Sequence, residues 1–219
     1  MLRIENCIDF GWEGAMRGMR NPKNSWAKSD SGYLSHEPSL KYQVGPNDLK
    51  LATALIKAGS DHRKFLRMIH VQVDCVAPLY WWKEFDTYKV GTTANSCSTM
   101  HKLLAKPFEM DDFSFDQVLG DTYERVAMPL VDVLNELRDS YFDSNNKSLK
   151  KVIWYTIIQI LPESYNQRRT LDLDYETLLR IYFARKDHKL EEWHVFTDWV
   201  ESLPYMGEFL SAAGKEEDL

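Results

Sequence analysis

The sequence predicts an α+β fold, a small antiparallel or mixed sheet among several long helices, and three observations predict it. Residues 69–75 (IHVQVDC) alternate: Ile69, Val71, Val73 and Cys75 point one way, His70, Gln72 and Asp74 the other, which is the period of a half-buried strand. Most other apolar residues recur at helical spacing. Hydrophobic residues make up 44% and charged residues 27% of the 219, enough apolar side chain for the core of one domain with short appendages.

Element by element, residues 2–10 read as a first strand. Residues 11–20 read as a short helix with Trp12, Ala15, Met16 and Met19 on one side. Residues 21–45 are polar and broken by Pro22, Gly32 and Pro38, which predicts a long surface loop of the kind that usually carries function. Asn47 is the expected cap of a helix to about Lys57, with Gly59 past its end, and residues 62–68 add a helical turn or two. After the 69–75 strand, residues 78–85 (PLYWWKEF) predict a short aromatic helix and 86–94 a loop. A helix is expected over Asn95–Ala105, capped near Asn95 or Ser96. Ser114-Phe-Asp-Gln117 has capping-box spacing before a long helix that turns Val118, Leu119, Val126, Leu130, Leu134 and Leu137 inward and is kinked or divided at Pro129. Ser148 opens another helix, ended by Leu161-Pro162. Asp174 caps the next, and a last helix covers about Leu190 to Ser202. The tail at about 211–219 is expected to fray. The chain is read as a single domain, 1–219.

Composition excludes several function classes. A net charge of −6 without a long Lys/Arg run argues against duplex nucleic acid as partner, since such binding rests on neutralising many phosphates. A small anionic ligand needs only a few local cations. Three cysteines (Cys7, Cys75, Cys97) have neither an even count nor metal-ligand spacing, so a reducing, cytoplasmic location is expected, without a disulfide framework or metal. No apolar run approaches the ~18 residues of a membrane span, and no signal peptide is recognised. Seven Trp and eleven Tyr suit a core, an interface, or stacking on a base or flavin ring.

Two segments carry candidate chemistry. Residues 92–101 (TTANSCSTMH) are rich in hydroxyls ahead of an apolar stretch. They read either as an over-supplied helix cap or as an anion cradle in which Ser96, Ser98 and backbone amides hold a phosphate, with Lys89 and Lys102 adding charge. Cys97 beside them is a candidate nucleophile or, more simply, a buried thiol. The other segment is Leu161–Arg185 (LPESYNQRRTLDLDYETLLRIYFAR). Arg168 and Arg169 are adjacent in a predicted strand or loop and so face opposite ways. Arg185 shares the apolar stripe of Leu178, Ile181 and Tyr182, and an Arg there needs an acceptor, either within the fold or on a ligand. The scattered histidines (His62, His70 and His101 among them) read as surface or strand-face residues.

Leu161–Arg185 resembles the flavin-dependent thymidylate synthases. That family carries a Leu-Pro, then Asn-x-Arg-Ser-Leu, then an apolar helix ending in Leu-Arg. Here Asp174 falls on the Asn, Glu176 on the Arg, Thr177-Leu178 on Ser-Leu, and Arg185 on the final Arg. Upstream, residues 94–101 are similar to the family's Ser-x-Asn-Glu-x-Ser-x-Arg-Tyr segment, keeping Asn95 and Ser98. The resemblance implies the family's α+β fold, a tetramer with sites between subunits, and Arg185 on the pyrimidine of dUMP. It implies Ser96, Ser98, Arg168 and Arg169 on the nucleotide side, and Asn95, Lys83, Lys89, His101 and Asp174 on the side of a cofactor, FAD.

The departures fall on the charges. The motif Glu is Ser96, the motif Arg is Met100, the Arg of Asn-x-Arg is Glu176, and the family's Arg-His-Arg falls on Tyr88-Lys89-Val90 or, with an inserted loop, on Lys83-Glu84-Phe85. Exchanging an Arg beside a phosphate for Glu replaces a bidentate contact with repulsion. The expectation is a protein that binds a pyrimidine or other small nucleotide on this fold without the standard flavin chemistry. The other expectation is an active, divergent enzyme that methylates dUMP with methylenetetrahydrofolate, FAD and NADPH, with Lys83, Lys89, Arg168 and Arg169 supplying the missing cations. A third is an interaction protein that uses its aromatic surplus as a subunit interface.

Overall fold

The computed structural model describes residues 1–34 and 41–214. Residues 35–40 of the expected loop and 215–219 of the expected tail lie outside the described residues. Four strands form one sheet in the order β1 (Arg3–Phe10), β4 (His70–Pro78), β6 (Asn166–Asp174), β5 (Thr92–Ser96). A two-residue antiparallel ribbon pairs β2 (Gly32–Tyr33) with β3 (Tyr42–Gln43). The helices are α1 (Trp12–Arg20), α2 (Pro46–Lys57), α3 (Leu79–Phe85), α4 (Thr99–Lys102), α5 (Gly120–Thr122), α6 (Met128–Asp143), α7 (Lys147–Ile160), α8 (Tyr175–Arg185), α9 (Glu191–Glu201) and α10 (Met206–Ala213). The chain is α+β, as its periodicities predict.

Two compact units divide the residues. One holds Ile4–Asp74, Tyr88–Ala94 and Thr170–Leu219 and is called the α8 unit below; the other holds Met1–Arg3, Cys75–Thr87 and Asn95–Arg169 and is called the α7 unit.

In the α8 unit the core is aromatic. Trp12 meets Tyr175 and Tyr205 edge-on at 5.1 and 5.3 Å, and Phe65 meets Phe209 at 6.2 Å. Such edge-to-face pairs match the positive rim of one ring to the negative face of another. The segment after α1 is more ordered than a loop: it makes 3-10 turns at Asn21–Lys23 and Trp26–Lys28 before the β2–β3 ribbon. The sequence hides why. Asp48 is fully buried and accepts Nε–H of Arg20 at 2.5 Å, both the Ser29 and Ser31 hydroxyls at 2.6 Å, and the amides of Asp30 and Ser31 at 3.2 Å. Asp30 in turn accepts the amides of Asn47 and Asp48, two of the donors that a helix start leaves unpaired. Asn47 therefore does not cap α2. Gly45 holds the cap position and Pro46 opens the helix, where its missing N–H is harmless.

In the α7 unit α6 and α7 pack around Leu103, Phe108, Phe113, Leu134, Ile153 and Ile157. Trp81, Trp82 and Phe85 of α3 are buried, and Trp82 Nε1–H donates to the Gln167 carbonyl at 2.9 Å. Pro129 divides its helix as expected. It opens α6 directly after a π-helical turn over Tyr123–Ala127, the wider turn sparing the hydrogen bond that Pro cannot donate. Leu119 and Val126 are 75% and 58% exposed rather than inward, since that turn breaks the helical phase on which the expectation rested. Ser114 does not cap a helix. A capping box forms earlier, between Glu109 and Asp112, and the Ser114 hydroxyl donates to Asn166 at 2.8 Å. Asn146, not Ser148, caps α7 by accepting the amides of Ser148 and Leu149.

The largest correction concerns residues 92–105, where β5 and the one-turn α4 replace the end of the expected 86–94 loop and the helix expected over Asn95–Ala105. Thr92 and Thr93 are β-branched and pack better in an extended chain. They belong to β5, an outer strand next to β6, and the pairing continues where Cys97 N–H donates to the Arg168 carbonyl at 2.9 Å. α10 is also beyond the sequence reading, because Pro204 and Gly207 look like breakers. Tyr205 turns the chain there with a left-handed φ of 59°, and α10 reaches Ala213, through the start of the expected frayed tail.

Candidate functional site

In the α8 unit, Asp174 ends β6 and caps α8, its carboxylate accepting the Thr177 amide at 2.7 Å. The Asp174 amide donates to the Gly91 carbonyl at 3.1 Å, and the Thr177 hydroxyl donates to the Val90 carbonyl at 2.9 Å. The start of α8 thereby clamps the 90–91 turn. Gly91 has φ +73°, and a Cβ there would collide with the Asp174 carboxylate and the Thr177 hydroxyl. Gly91→Ala is expected to lower stability by more than about 1 kcal/mol, read in urea unfolding, because the backbone and the space both exclude a side chain.

At the other end of α8, Arg185 is half-buried. Its Nε–H donates to the Tyr88 hydroxyl at 2.7 Å, and the guanidinium lies over the Trp193 ring of α9 at 4.7 Å and near the Tyr88 ring at 5.5 Å. The Tyr88 and Trp193 rings meet edge-on at 6.1 Å. One acceptor on the apolar stripe is a phenol, and two aromatic rings lie against the cation besides. A stacked guanidinium is a planar donor fork of fixed orientation, suited to a carbonyl pair or a phosphate. Tyr88 and Trp193 escaped the sequence reading because nothing local links them to Arg185.

Glu176 is buried on the first turn of α8. Its two carboxylate oxygens lie 3.2 and 3.0 Å from Arg63 Nε, and both residues are largely withdrawn from water. Lys89, in the loop before the Gly91 turn, is exposed. His70 faces Asp172 at 2.7 Å and stacks on Phe10 at 5.6 Å.

The α7 unit places Asn95 and Ser96 exposed on the last residues of β5. Ser98 caps α4, its hydroxyl accepting the His101 amide at 3.2 Å, and His101 is exposed. The structure therefore favours the cap over the cradle for Ser98. Cys97 is exposed, not buried. Arg168 and Arg169 face opposite ways as expected, Arg168 exposed and Arg169 half-buried. Arg169 donates to Asp86 at 2.6 Å and to Gln167 at 3.0 Å and lies over the Trp82 ring at 4.2 Å. β6, which carries both arginines, lies inside the sheet. Lys83 forms a surface ion pair with Glu163. So the α7 unit brings together Asn95, Ser96, Ser98 and His101 along one stretch, with Arg168 paired through its backbone at Cys97. The α8 unit holds Arg185, Asp174 and Lys89. Among the described residues no His, Cys, Asp and Glu cluster is arranged to hold a metal ion, and no helix is long and apolar enough to cross a membrane.

Two solved structures share this architecture. Thymidylate synthase X (ThyX) of Helicobacter pylori, in a crystal structure with FAD and dUMP, matches with a TM-score of 0.67 over 97% of this chain and 99% of that one, at 17% identity. A second structure of flavin-dependent ThyX from the same organism, complexed with FAD and dUMP, matches with a TM-score of 0.64 over 94% and 97%, also at 17% identity. The fold is that of ThyX. No protein-family model matches the sequence, and no curated protein does. Both matches extend over nearly the whole of each chain.

Proposed function

We infer that this chain binds a pyrimidine or other small nucleotide on the ThyX fold and does not run the standard flavin reaction. The observation that carries this reading is Arg185, fixed at the end of α8 by the Tyr88 hydroxyl and the Trp193 ring. Its orientation is set before any ligand arrives, so little conformational entropy is lost when its donors meet a pyrimidine carbonyl. The solved ThyX structures hold dUMP, which makes a pyrimidine nucleotide the first ligand to test.

The flavin side supports the second half of the reading. A flavin dinucleotide carries a pyrophosphate, which calls for cations or open amides. Of the four cations proposed to serve it, Lys83 is paired to Glu163 and Arg169 to Asp86, while Lys89 and Arg168 are exposed. The Asp174 carboxylate caps its own helix, and Glu176, paired with Arg63, supplies no cation where the resembling pattern has an Arg. With two of the four cations engaged and no Arg at position 176, the residues fit a flavin pyrophosphate poorly. A homotetramer, expected from the resemblance, remains part of the proposal.

Titration calorimetry with dUMP, dTMP, UMP and FAD tests the reading. A pyrimidine nucleotide is expected to bind, and Arg185→Ala to weaken it by about 10–100-fold, the worth of one or two charge-assisted hydrogen bonds. Silence across the panel overturns the proposal. The match to FAD-containing ThyX over nearly the whole chain favours one rival, an active divergent enzyme. Purification as a yellow protein, or saturable FAD binding, would decide for it.

A further inference from the structure

We propose a second anion site, confined to the α7 unit, that takes a nucleotide carrying two or more phosphates. It does not rest on Arg185. A shallow, largely open depression of about 700 Å³ lies beside the first turns of α7. Lys147, Lys150, Lys151 and His101 are among the residues that line it. The rest of the lining is Trp154, Tyr141 and Met100.

The lysines are placed against their own interest. Positions i, i+3 and i+4 share one helix face, so the three ammonium groups repel one another. They also stand on the opening turns of a 14-residue helix, whose dipole end is positive, with no acid in the first turn to offset them. Six cations of the fold, Arg20, Arg63, Lys83, Lys106, Arg138 and Arg169, each have a carboxylate within ion-pair distance. Among the described residues the three lysines of the depression have none. Lys150 lies over the Tyr141 ring at 5.0 Å and Lys151 over the Tyr155 ring at 6.0 Å, contacts that orient an ammonium without neutralising it. The helix amides are not the attraction, since Asn146 already accepts those of Ser148 and Leu149.

An uncompensated triad of cations favours a polyanion, and three ammonium groups suit two or more phosphates better than one. The aromatic wall narrows the class further. The Trp154 indole, partly exposed, is anchored by its Nε1–H to the Met100 carbonyl at 3.3 Å, which leaves its ring as a fixed platform. A base stacks on such a platform irrespective of its identity. Phosphates on Lys147, Lys150 and Lys151 with a base on Trp154 describe a nucleoside di- or triphosphate.

The test titrates the full-length protein with ATP and UTP, and with inorganic triphosphate as a ring-free probe, following tryptophan fluorescence and thermal midpoint. Both nucleotides are expected to quench part of the fluorescence, and Trp154→Phe to remove that part. Inorganic triphosphate is expected to compete without quenching. The Lys150→Gln/Lys151→Gln double variant is expected to weaken nucleotide binding at least about tenfold and, in the absence of ligand, to melt no lower than the parent, because repulsion is relieved. Lys57→Gln, an exposed lysine of α2, controls for general charge loss and is expected to bind as the parent does. Absence of binding, or equal binding by the double variant, overturns the proposal. Binding of single-stranded oligonucleotides but not of free nucleotides would also overturn it, in favour of a nucleic-acid surface.

Discussion

Asp48→Ala is expected to lower the free energy of unfolding by about 3–5 kcal/mol, the range found when one member of a buried ion pair is removed. Urea unfolding with an unchanged m-value would register it as a shift in midpoint alone. Asp48 is fully buried and its partner Arg20 is 4% exposed, so the loss leaves a guanidinium inside the protein without its carboxylate. More is lost than the pair. The hydroxyls of Ser29 and Ser31 and the amides of Asp30 and Ser31 lose their acceptor together. Asp48→Asn is the informative companion. It keeps the shape but offers one acceptor oxygen where the carboxylate offers two, so it should recover only part of the loss.

The same network predicts a pH dependence. Burial pushes the Asp48 carboxyl up, but the hydrogen bonds from Ser29, Ser31 and Arg20, with the Arg20 charge, outweigh it and hold the group below its usual value. The native state therefore binds the proton less readily than the unfolded chain. The resulting stabilisation is complete above the unfolded carboxyl pKa of about 3.9 and is lost as pH falls through the lower native value. Unfolding free energies measured from pH 6 downward should fall below about pH 4 more steeply in the parent than in Asp48→Asn. Asp172 acts in the same direction: burial raises it, and the hydrogen bonds from Gln72 and His70 more than offset that. Its side chain is 30% exposed, so its share is smaller.

What the sequence made legible was periodic or local. The alternation at 69–75 located β4, with Ile69, Val71, Val73 and Cys75 all buried. Asp174 announced the start of α8 because a cap and its helix are neighbours in the chain. The ordering from the Leu-Pro stop to Arg185 anticipated the ThyX fold that the solved structures show. Features that depend on distant partners were not legible. Nothing near Arg185 names Tyr88, nothing near Glu176 names Arg63, and nothing near Ser29 or Ser31 names Asp48. The hydroxyl-rich run at 92–101 misled for a related reason. Thr and Ser favour both strand edges and caps, and only the pairing of β5 with β6 chooses between them.

Glu176→Arg, which installs the residue that the ThyX-like pattern carries, is expected to destabilise the protein by at least about 3–5 kcal/mol and to bring no gain in FAD binding. The reason lies in Arg63. Its Nε is 3.2 and 3.0 Å from the two Glu176 oxygens, and the two side chains are only 12% and 6% exposed, so the new arginine would meet a like charge in a site closed to water. The reciprocal change separates charge from position. If Arg63 and Glu176 are one unit, Arg63→Glu alone is also strongly destabilising, while Arg63→Glu/Glu176→Arg loses less than the two single changes together, by a coupling energy of about 0.5–3 kcal/mol in a double-mutant cycle. Strictly additive single effects would show that the two charges are not coupled. Coupling would alter how the Arg-to-Glu departure is understood. A glutamate held by an interior arginine does not project repulsion toward a phosphate; it has become part of the packing of α8. Restoring the arginine of the resembling pattern would then require replacing both partners, and only a double variant that also gained FAD affinity would trace the proposed loss of flavin chemistry to this pair.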